Sequence, residues 1–524
     1  MTVARPHIAV IGAGIGGLAA ALRLSHASAR VTVFERHAQP GGKMRTLPTA
    51  AGPVDAGPTV LTMKHVFEAL FAETGSALAN HVTLHREDIL ARHFWPDGTR
   101  LDLMSDPEQS AENIRTTLGP RAAAEFTAFS NRAADLFDAF DAPMMRAPAP
   151  SLRSLTATVI RQPRLIPKMD PLRTLARSLG AQFCEPKLAQ LFGRYATYVG
   201  GRPDASPALL ALISHAEAQG VWYVEGGMHR LAQAIAQRAS DLGATFHFNT
   251  HVQRIEMQNG APHAVITETG RTPTDAVLFN GDPRALAQGH LGEDLRKAVP
   301  PPASEPRSLS AYVHSFAARA TGLPLAGHNV LFCADPHEEF GALAEGRMPR
   351  DATLYICAQD RFGGAMPDGP ERFEIIMNAP PAPDGSAPSA QEQERCHSAT
   401  MHRLAAFGLR FTPQPGPETL TMPQDFAALF PASNGSLYGR SPHGTMAAFH
   451  RPTARSRIAG LYLVGGGAHP GAGIPMATLS AAHAAAAITA DLSLTSAPRP
   501  AATPGGTSTA SPTMAAAPSP SSPS

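Results

Sequence analysis

Six residues near the N-terminus restrict the fold of this chain more than any other feature. The stretch 12–17 has the spacing G-x-G-x-x-G and lies between an apolar run at 8–11 and an Ala/Leu-rich segment that ends near residue 28. The apolar run predicts a buried parallel strand, and the Ala/Leu pattern predicts a helix. A glycine-rich turn between a strand and a helix is typical of a dinucleotide-binding unit, in which a pyrophosphate meets free N–H groups at the helix N-terminus.

An acidic residue completes this unit. The run 31–35 predicts a second strand, and it ends in Glu35, where a carboxylate can accept hydrogen bonds from ribose hydroxyls. A carboxylate at this position would repel a 2′-phosphate, so NADP is disfavoured. The residues up to this point leave FAD and NAD open.

The strand and helix patterns of the rest of the chain predict a discontinuous nucleotide-binding domain. The run 460–464 predicts a strand that precedes glycine-rich turns and an Ala-rich helix from Met476, and the stretch 227–257 predicts a helix followed by strands. The fold class is therefore α/β, with a Rossmann-type domain, an inserted α+β substrate domain and a helical, membrane-facing part. The predicted division is 1–90, 221–300 and 451–494 for the nucleotide-binding domain, 91–220 for the helical part, 301–450 for the substrate domain and 495–524 for a disordered tail.

Composition excludes several classes of function. Lys plus Arg total 44 and Asp plus Glu total 43, so no overall charge exists that would attract nucleic acid. The four cysteines form no C-x-x-C pair, which argues against a disulfide scaffold and a zinc site and favours a reducing compartment. We found no signal-peptide pattern and no apolar run of the roughly 18–20 residues that would cross a bilayer. We expect a soluble or peripheral protein without a metal.

Further motifs carry a family resemblance. They are Pro40-Gly41-Gly42-Lys43, Asp55-Ala56-Gly57-Pro58-Thr59, the stretch 221–228 and the glycine-rich stretch 461–475. With them, the chain from 7 to about 494 resembles the phytoene-desaturase-type carotenoid desaturases, which belong to the amine-oxidase-like FAD superfamily. Within that family it is most similar to the hydroxycarotenoid 3,4-desaturases of purple phototrophic bacteria, through the stretches 191–201, 206–213 and 441–449.

The resemblance implies that the cofactor is FAD and assigns residues to it. The pyrophosphate and the adenosine would contact the N-terminal unit, with Val252 reading the adenine through its backbone. The ribityl chain and the isoalloxazine ring would lie along the later motifs. The implied FAD-binding residues are Gly12, Ala13, Gly14, Gly17, Glu35, Arg36, Gly41, Gly42, Lys43, Gly57, Pro58, Thr59, Val252, Gly465, Gly466, Gly467, Gly473, Ile474, Pro475 and Met476. For Lys43, a solvated surface cation is the alternative.

The implied reaction removes a hydride and a proton from adjacent carbons of an allylic polyene. The flavin carries the difficult step, so the protein supplies orientation and a dry slot. His469 would lie near the flavin, to orient it or to accept the proton, with a hydrogen bond at the helix entry as the alternative. Arg194 could meet a substrate hydroxyl, with packing as the alternative. The sequence does not distinguish oxygen from a quinone as the final electron acceptor.

A lipid-soluble carotenoid has to be collected from a membrane. The stretch 151–180 combines five arginines and one lysine with nine Leu, Ile and Val residues and a single acid, Asp170. Cations interleaved with apolar residues are typical of an interfacial anchor. Pro163, Pro167 and Pro171 divide the stretch into short pieces, which suits an entrance lip. We expect a cytoplasmic protein held peripherally on the inner or photosynthetic membrane; an ordinary amphipathic cap helix is the alternative.

Four other functions share some of these features. A phytoene desaturase and a flavin-dependent carotene isomerase have most of the same motifs, and the sequence excludes them poorly. An amine oxidase would need an aromatic cage, whereas aromatic residues make up only 6% of this chain. A prenyl-lipid carrier would not need the intact glycine motifs.

Overall fold

A five-stranded parallel sheet lies at the centre of the nucleotide-binding part. A computed structural model describes residues 5–383 and 385–493, so the predicted tail at 495–524 lies outside the described residues. The sheet combines strands from both ends and the middle of the chain. In spatial order its strands are Leu461–Leu463, Ala276–Phe279, His7–Ile11, Arg30–Phe34 and Thr245–His247. The predicted discontinuous Rossmann-type arrangement is confirmed.

Three helices cover this sheet. They are Ile15–His26, His229–Asp241 and Ile474–Asp491, and the first packs against both of the others. The last helix begins two residues before the predicted Met476, because Pro475 fits the first turn of a helix, where its missing N–H costs nothing. Fully buried Leu and Ala side chains of these helices and the apolar strands form one core. That core fixes the position of the glycine turn at 12–17.

An antiparallel sheet of three strands lies beside the parallel sheet. Its strands are Val252–Gln258, Ala261–Thr267 and Gly270–Pro273. The sequence predicts strands in this region, and the structure shows that they pair with each other rather than extend the parallel sheet.

The substrate part is built on an eight-stranded sheet. Seven strands run in the order Arg410–Thr412, Ser310–Thr321, Glu371–Ala379, Leu354–Ala358, His328–Leu331, Ile89–Phe94 and Arg100–Met104, and Leu420–Thr421 pairs with the second. Two of these strands, at 89–104, come from a region that the sequence assigns largely to the helical part. They join this sheet because 329–331 pairs in parallel with 92–94. The same part of the chain also contains four helices, Pro336–Ala344, Ala390–Ala406, Pro423–Leu429 and Ala447–His450.

Helix Lys64–Glu73 packs against Ile474–Asp491 in the core of the nucleotide-binding part, and the short helix Pro283–Ala287 follows strand Ala276–Phe279. A separate helical layer is formed by Pro107–Leu118, Pro120–Phe140, Leu152–Arg161, Leu165–Met169, Leu175–Gln182, Pro186–Gly193 and Leu212–Ala218, with short 3₁₀ segments at Arg194–Val199 and Ala208–Ala211. The stretch 151–180 is indeed divided into short helices, as its three prolines predict. An aromatic cluster around Phe126, Phe129 and Phe192 joins this layer to the eight-stranded sheet.

Candidate active site

The glycine turn presents bare backbone at the start of a helix. Gly12 has φ +99°, and a Cβ atom on Gly17 would lie 2.1 Å from the Gly12 carbonyl oxygen. A Cβ on Gly14 would lie 3.0 Å from the Asn280 side-chain nitrogen. No side chain larger than hydrogen fits Gly17, so helix and strand approach closely, as the motif predicts. Gly12 and Gly14 line a large cavity, whereas Gly17 supports the turn from behind.

Glu35 is fixed by two backbone donors. Its Oε2 atom accepts from the Ala13 N–H at 2.7 Å, and its Oε1 atom accepts from the His37 N–H at 2.9 Å. The side chain is only 4% exposed and still lines the cavity. Ala13 therefore acts through its backbone and does not itself line the cavity. Each carboxylate oxygen keeps a lone pair for a further donor, which fits ribose hydroxyls.

The cavity wall near Glu35 is apolar and aromatic. Val252 lies there with Phe279 and Leu291, and Arg36 borders the same end. Such a surface suits the faces of an adenine ring. The structure thus brings the predicted adenosine-binding residues together.

Lys43 reaches into the cavity and not into solvent. Its Nζ atom donates to the Leu437 carbonyl oxygen at 2.5 Å and lies 5.4 Å from the centre of the Phe430 ring. Burial lowers the pKa of Lys43 to about 8, against the attraction of the Asp282 carboxylate. The alternative of a solvated surface cation does not fit this position. Gly41 and Gly42 line the cavity beside it, and the Gly41 N–H donates to the Ala13 carbonyl at 2.8 Å.

The stretch 55–59 holds two parts of the site together. The carboxylate of Asp55 accepts from the N–H of Met228 at 2.6 Å, at the start of helix His229–Asp241. A Cβ on Gly57 would lie 1.9 Å from the Lys43 carbonyl oxygen. Gly57, Pro58 and Thr59 all line the cavity.

The C-terminal glycine motif closes the site from the opposite side. Gly465, Gly466 and Gly467 line the cavity, and so does the run 473–476, which contains Gly473, Ile474, Pro475 and Met476. A Cβ on Gly465 would lie 2.5 Å from the Asn280 side-chain oxygen, and one on Gly467 would lie 2.5 Å from Cδ of Pro283. Both positions require glycine, because the segment 280–283 passes directly against them.

Sequence reasoning missed several residues of this site. Asn280 and Asp282 follow strand Ala276–Phe279 at the carboxyl edge of the parallel sheet, next to the glycine turn, and this placement was available from the sequence. Asp282 forms an ion pair with Arg307. Arg451 donates to the Gly466 carbonyl at 2.7 Å and to the Arg440 carbonyl at 2.8 Å, and no motif points to it.

His469 does not line the cavity. Its Nε2 atom donates to the Ala147 carbonyl oxygen at 2.8 Å, and its ring stacks on His483 at 5.7 Å. Burial lowers the pKa of His469 to about 4, so the ring is neutral near pH 7. This geometry favours the structural alternative over a role as proton acceptor.

Arg194 lines the cavity within a polar cluster. Its Nη2 atom donates to the Tyr198 hydroxyl at 2.7 Å, and its guanidinium lies 4.9 Å from the Tyr198 ring centre. Nearby, Tyr195 donates to Glu217 at 2.7 Å. Arg194, Tyr198 and Glu217 border the cavity; Tyr195 supports them from behind. We call Arg194, Tyr198 and Glu217 the polar cluster.

The rest of the cavity is an apolar arm. Its walls include Phe137, Leu155, Met169, Ile213 and Phe332. Two of these side chains, Leu155 and Met169, belong to the short helices of the stretch 151–180. The apolar arm therefore extends from the glycine motifs to the segment predicted to touch a membrane.

The residues present fit a flavin dinucleotide. The cavity has a volume of about 1280 Å³, above the roughly 300–1,000 Å³ of common ligand pockets. Bare-backbone glycines, a carboxylate held by backbone donors and a half-buried lysine line this cavity. An FAD would be held by these groups, and the apolar arm leaves room for a second, long ligand.

The fold and this cavity define a dinucleotide-binding protein with a second, apolar site. Residues 15–323 match the family described as flavin containing amine oxidoreductase. A hydroxyneurosporene desaturase of Cereibacter sphaeroides is 54% identical over 93% of this chain and 98% of its own length. A 1-hydroxycarotenoid 3,4-desaturase of a Flavobacterium species is 29% identical over 92% of this chain and 98% of its own length.

Solved structures agree on the fold. A putrescine oxidase variant superposes with a TM-score of 0.59 at 14% identity, covering 93% of this chain and 99% of its own. The chain therefore belongs to the flavin-containing amine oxidoreductase family and, within it, to the carotenoid desaturases. It is an oxidoreductase that acts on CH–CH groups with FAD as its cofactor, as the motifs predict.

Two further expectations from the sequence concern membrane-spanning segments and metal sites. Within residues 5–383 and 385–493, no helix is both long and apolar enough to cross a membrane. The same part of the chain contains no cluster of His, Cys, Asp or Glu side chains suited to a metal ion.

Proposed function

We propose that this protein introduces the C-3,4 double bond into 1-hydroxy or 1-methoxy acyclic carotenoids. The observation that carries the proposal is that one cavity joins the flavin-binding motifs, a long apolar arm and the polar cluster. Relatives named as desaturases of hydroxylated carotenoids support the same substrate class. A phytoene desaturase, the alternative within the family, would have no hydroxyl to place.

The apolar arm fits a polyene. Its walls are aliphatic and aromatic side chains. Binding of a polyene against them removes apolar surface from water, which stabilises the complex by about 25 cal/mol per Å². Bound FAD supplies the hydride acceptor, and the protein holds the reacting carbons against it without water.

The polar cluster fits the oxygen of the end group. Burial raises the pKa of the Tyr198 hydroxyl, so it remains a hydrogen-bond donor, and the Glu217 carboxylate is an acceptor. A buried cluster that is satisfied by a substrate hydroxyl discriminates strongly against an analogue without it, because its polar groups then stay unpaired. Arg194 holds the Tyr198 hydroxyl in place.

The entrance of the arm fits a membrane surface. Leu152, Ile160, Ile166 and Leu172 are large apolar side chains with 53%, 73%, 48% and 96% of their surface exposed. Leu152, Ile160 and Ile166 lie on the same short helices as the wall residues Leu155 and Met169, and Leu172 lies in the turn that follows. We call these four residues the apolar rim.

Exposed cations surround the apolar rim. Arg153, Arg161, Arg164 and Arg173 are all exposed, and such charges attract anionic lipid headgroups. Shallow insertion of the apolar rim would let a carotenoid pass from lipid into the arm without crossing water. This arrangement supports peripheral attachment to a membrane. We propose that the enzyme lies on the cytoplasmic side of the inner or photosynthetic membrane, with oxygen or a membrane quinone as the final electron acceptor.

Product analysis tests the proposal. FAD-loaded protein is incubated with liposomes that contain a 1-hydroxy acyclic carotenoid, a quinone and air, and parallel liposomes contain phytoene. We expect a product that has lost two hydrogens and absorbs at longer wavelength from the hydroxylated substrate only. Desaturation of phytoene alone would assign the earlier step, and a product of unchanged mass would indicate an isomerase.

A further inference from the structure

One carboxyl group in the cavity has no partner. Glu374 lies in the middle of strand Glu371–Ala379, lines the cavity and is 0% exposed to solvent. Neither of its carboxyl oxygens has a hydrogen-bond partner among the residues that the structure describes. A buried polar group left unpaired costs free energy, so it calls for an explanation beyond folding.

The other carboxylates of the cavity are all held. Glu35 accepts from two backbone N–H groups, and Asp282 pairs with Arg307. Glu217 accepts from the Tyr195 hydroxyl, and Glu339 accepts from the backbone and hydroxyl of Thr353. Within the described residues, Glu374 is therefore the cavity carboxyl that is available for chemistry.

Its position in the sheet directs it to the cavity. Side chains alternate between the two faces of a strand, and Ile376 and Asn378, two and four residues further on, line the same cavity. Opposite Glu374 lie Ser315 on one neighbouring strand and Cys357 on the other. The carboxyl thus stands on the floor formed by the eight-stranded sheet.

The cofactor motifs meet the sheet at this place. The segment that carries Tyr438 lies against the C-terminal glycines, since a Cβ on Gly439 would lie 3.2 Å from Cα of Gly467. Lys43, one of the predicted FAD-binding residues, contacts the adjacent Leu437. Glu374 and Tyr438 line the same cavity as Lys43, so the carboxyl and the flavin-binding motifs border one space.

We propose that Glu374 accepts the proton that leaves the carotenoid during desaturation; this inference rests on the proposed function. One C–H bond breaks and its hydrogen leaves with the electron pair as a hydride. The acceptor would be the flavin, which is the cofactor of this family. The adjacent C–H bond breaks, its electron pair becomes the new C=C bond, and its proton bonds to a carboxylate oxygen of Glu374. The proton passes to solvent when the product leaves.

The surroundings of Glu374 suit this role. Burial raises the pKa of Glu374 well above its usual range, the charge of Asp55 adds to this, and Arg45 opposes it. A carboxylate of raised pKa is a stronger base, and proton transfer is most efficient when the pKa lies near the working pH. The titratable groups that face it are Arg45, Asp55, Tyr355, Cys357 and Tyr438.

The main test compares wild-type protein with Glu374→Gln in anaerobic single turnovers of the FAD-loaded enzyme. Glutamine keeps the shape and cannot accept the proton. We expect unchanged binding of the polyene, flavin reduction slower by about 100-fold or more, and loss of the increase in rate with pH. Ser315→Ala, on the neighbouring strand, is the matched control and should keep the wild-type pH profile. A Glu374→Gln protein with the wild-type rate and pH profile would overturn the inference.

Two readouts do not depend on turnover. Infrared titration should show a protonated-carboxyl band that disappears as pH rises, and the difference between wild type and Glu374→Gln separates it from other buried carboxyls with a raised pKa, such as Glu339. Replacing this unpaired buried carboxyl by an apolar side chain, in Glu374→Leu, should also raise the midpoint of thermal unfolding, whereas a structural role predicts a lower one. If Glu374→Gln does not fold, Glu374→Asp serves instead, with a slower reaction and a retained pH dependence.

The outcomes separate the two proposals. A wild-type protein that reduces its flavin with the hydroxylated carotenoid, together with a fully active Glu374→Gln protein, contradicts only the role of Glu374. A wild-type protein that binds the carotenoid and never reduces its flavin contradicts the proposed function and this inference with it.

Discussion

The Arg194 guanidinium donates to the Tyr198 hydroxyl at 2.7 Å, within a cavity whose other walls are largely apolar. The Arg194 Nε atom is buried and has no hydrogen-bond partner among the described residues, so burying this guanidinium is costly unless a polar ligand accepts from it. The relationship connects a family motif to substrate choice, because both residues lie in the stretch 191–201 that carries the subgroup resemblance.

Substrate discrimination should depend on the polar cluster. Tyr198→Phe removes a hydroxyl and keeps the ring, so the preference for a hydroxylated over a non-hydroxylated carotenoid should fall by about 10- to 100-fold in kcat/KM. Competition between the two substrates in the same liposomes measures this ratio. Tyr312→Phe, which removes a hydroxyl outside the cavity lining, is the control. An unchanged ratio in Tyr198→Phe would show that the end group binds elsewhere.

Glu35 should determine FAD affinity. In Glu35→Gln, the N–H group of either Ala13 or His37 faces an amide nitrogen that cannot accept its hydrogen bond. The substitution also removes the carboxylate that would accept hydrogen bonds from the ribose hydroxyls. We expect FAD to bind about 10- to 100-fold more weakly, measured by quenching of flavin fluorescence. Glu108→Gln on the surface should bind FAD as the wild type does. Wild-type affinity in Glu35→Gln would be inconsistent with the predicted adenosine site.

FAD affinity should also depend on pH through Lys43. Its pKa is lowered to about 8, so the ammonium is charged below this pH and becomes neutral as pH rises through it. Binding of the anionic cofactor should therefore weaken above about pH 8, by about 10-fold. Lys43→Met should bind FAD weakly at every pH and show no such step. A step of equal size in both proteins would assign it to another group.

His469 should matter for acid stability more than for the reaction. Its folded-state pKa of about 4 lies below the value of 6.5 for a free histidine, so the unfolded state binds more protons between these values. The free energy of unfolding should fall as pH drops from 6.5 to 4, with about 3 kcal/mol contributed by this residue. His469→Gln should reduce that dependence in urea titrations and leave the rate of flavin reduction within a few-fold. A loss of about 100-fold in rate would restore the catalytic interpretation.

Membrane binding should require the apolar rim. Ile160→Ser together with Leu172→Ser should weaken binding to anionic vesicles by about 10-fold or more, because both side chains lose burial in lipid. Met366→Ser, which removes an apolar side chain 77% exposed outside the rim, is the matched control in vesicle sedimentation. Equal binding of all three proteins would contradict the proposed docking face.

The sequence predicts the parts of the site that local backbone geometry dictates. The glycine turn at 12–17, Glu35 and the C-terminal motif line one cavity because each occupies a strand end or a helix start with strict steric needs. The apolar runs at 8–11 and 31–35 likewise mark two strands of the parallel sheet. Such features depend on a few neighbours in the chain, so one sequence suffices to find them.

The residues that sequence reasoning missed depend on distant pairings. Arg451 contacts the glycine motif only because the loop at 438–440 folds back on it, and Glu374 faces the cavity only because of its strand register. The strands at 89–104 joined the substrate sheet for the same reason. Conversely, His469 lies within the glycine-rich stretch 461–475 and its side chain binds the Ala147 carbonyl, because side-chain direction at a helix entry does not follow from sequence.

The proposed desaturation can be followed in an anaerobic titration of the FAD-loaded protein. Liposomes that contain a 1-hydroxy acyclic carotenoid are added in steps, while the flavin band and the polyene spectrum are recorded together. We expect one carotenoid to bleach one flavin, with a polyene band shifted to longer wavelength. A flavin that stays oxidised while the hydroxylated carotenoid binds would contradict the proposed desaturation.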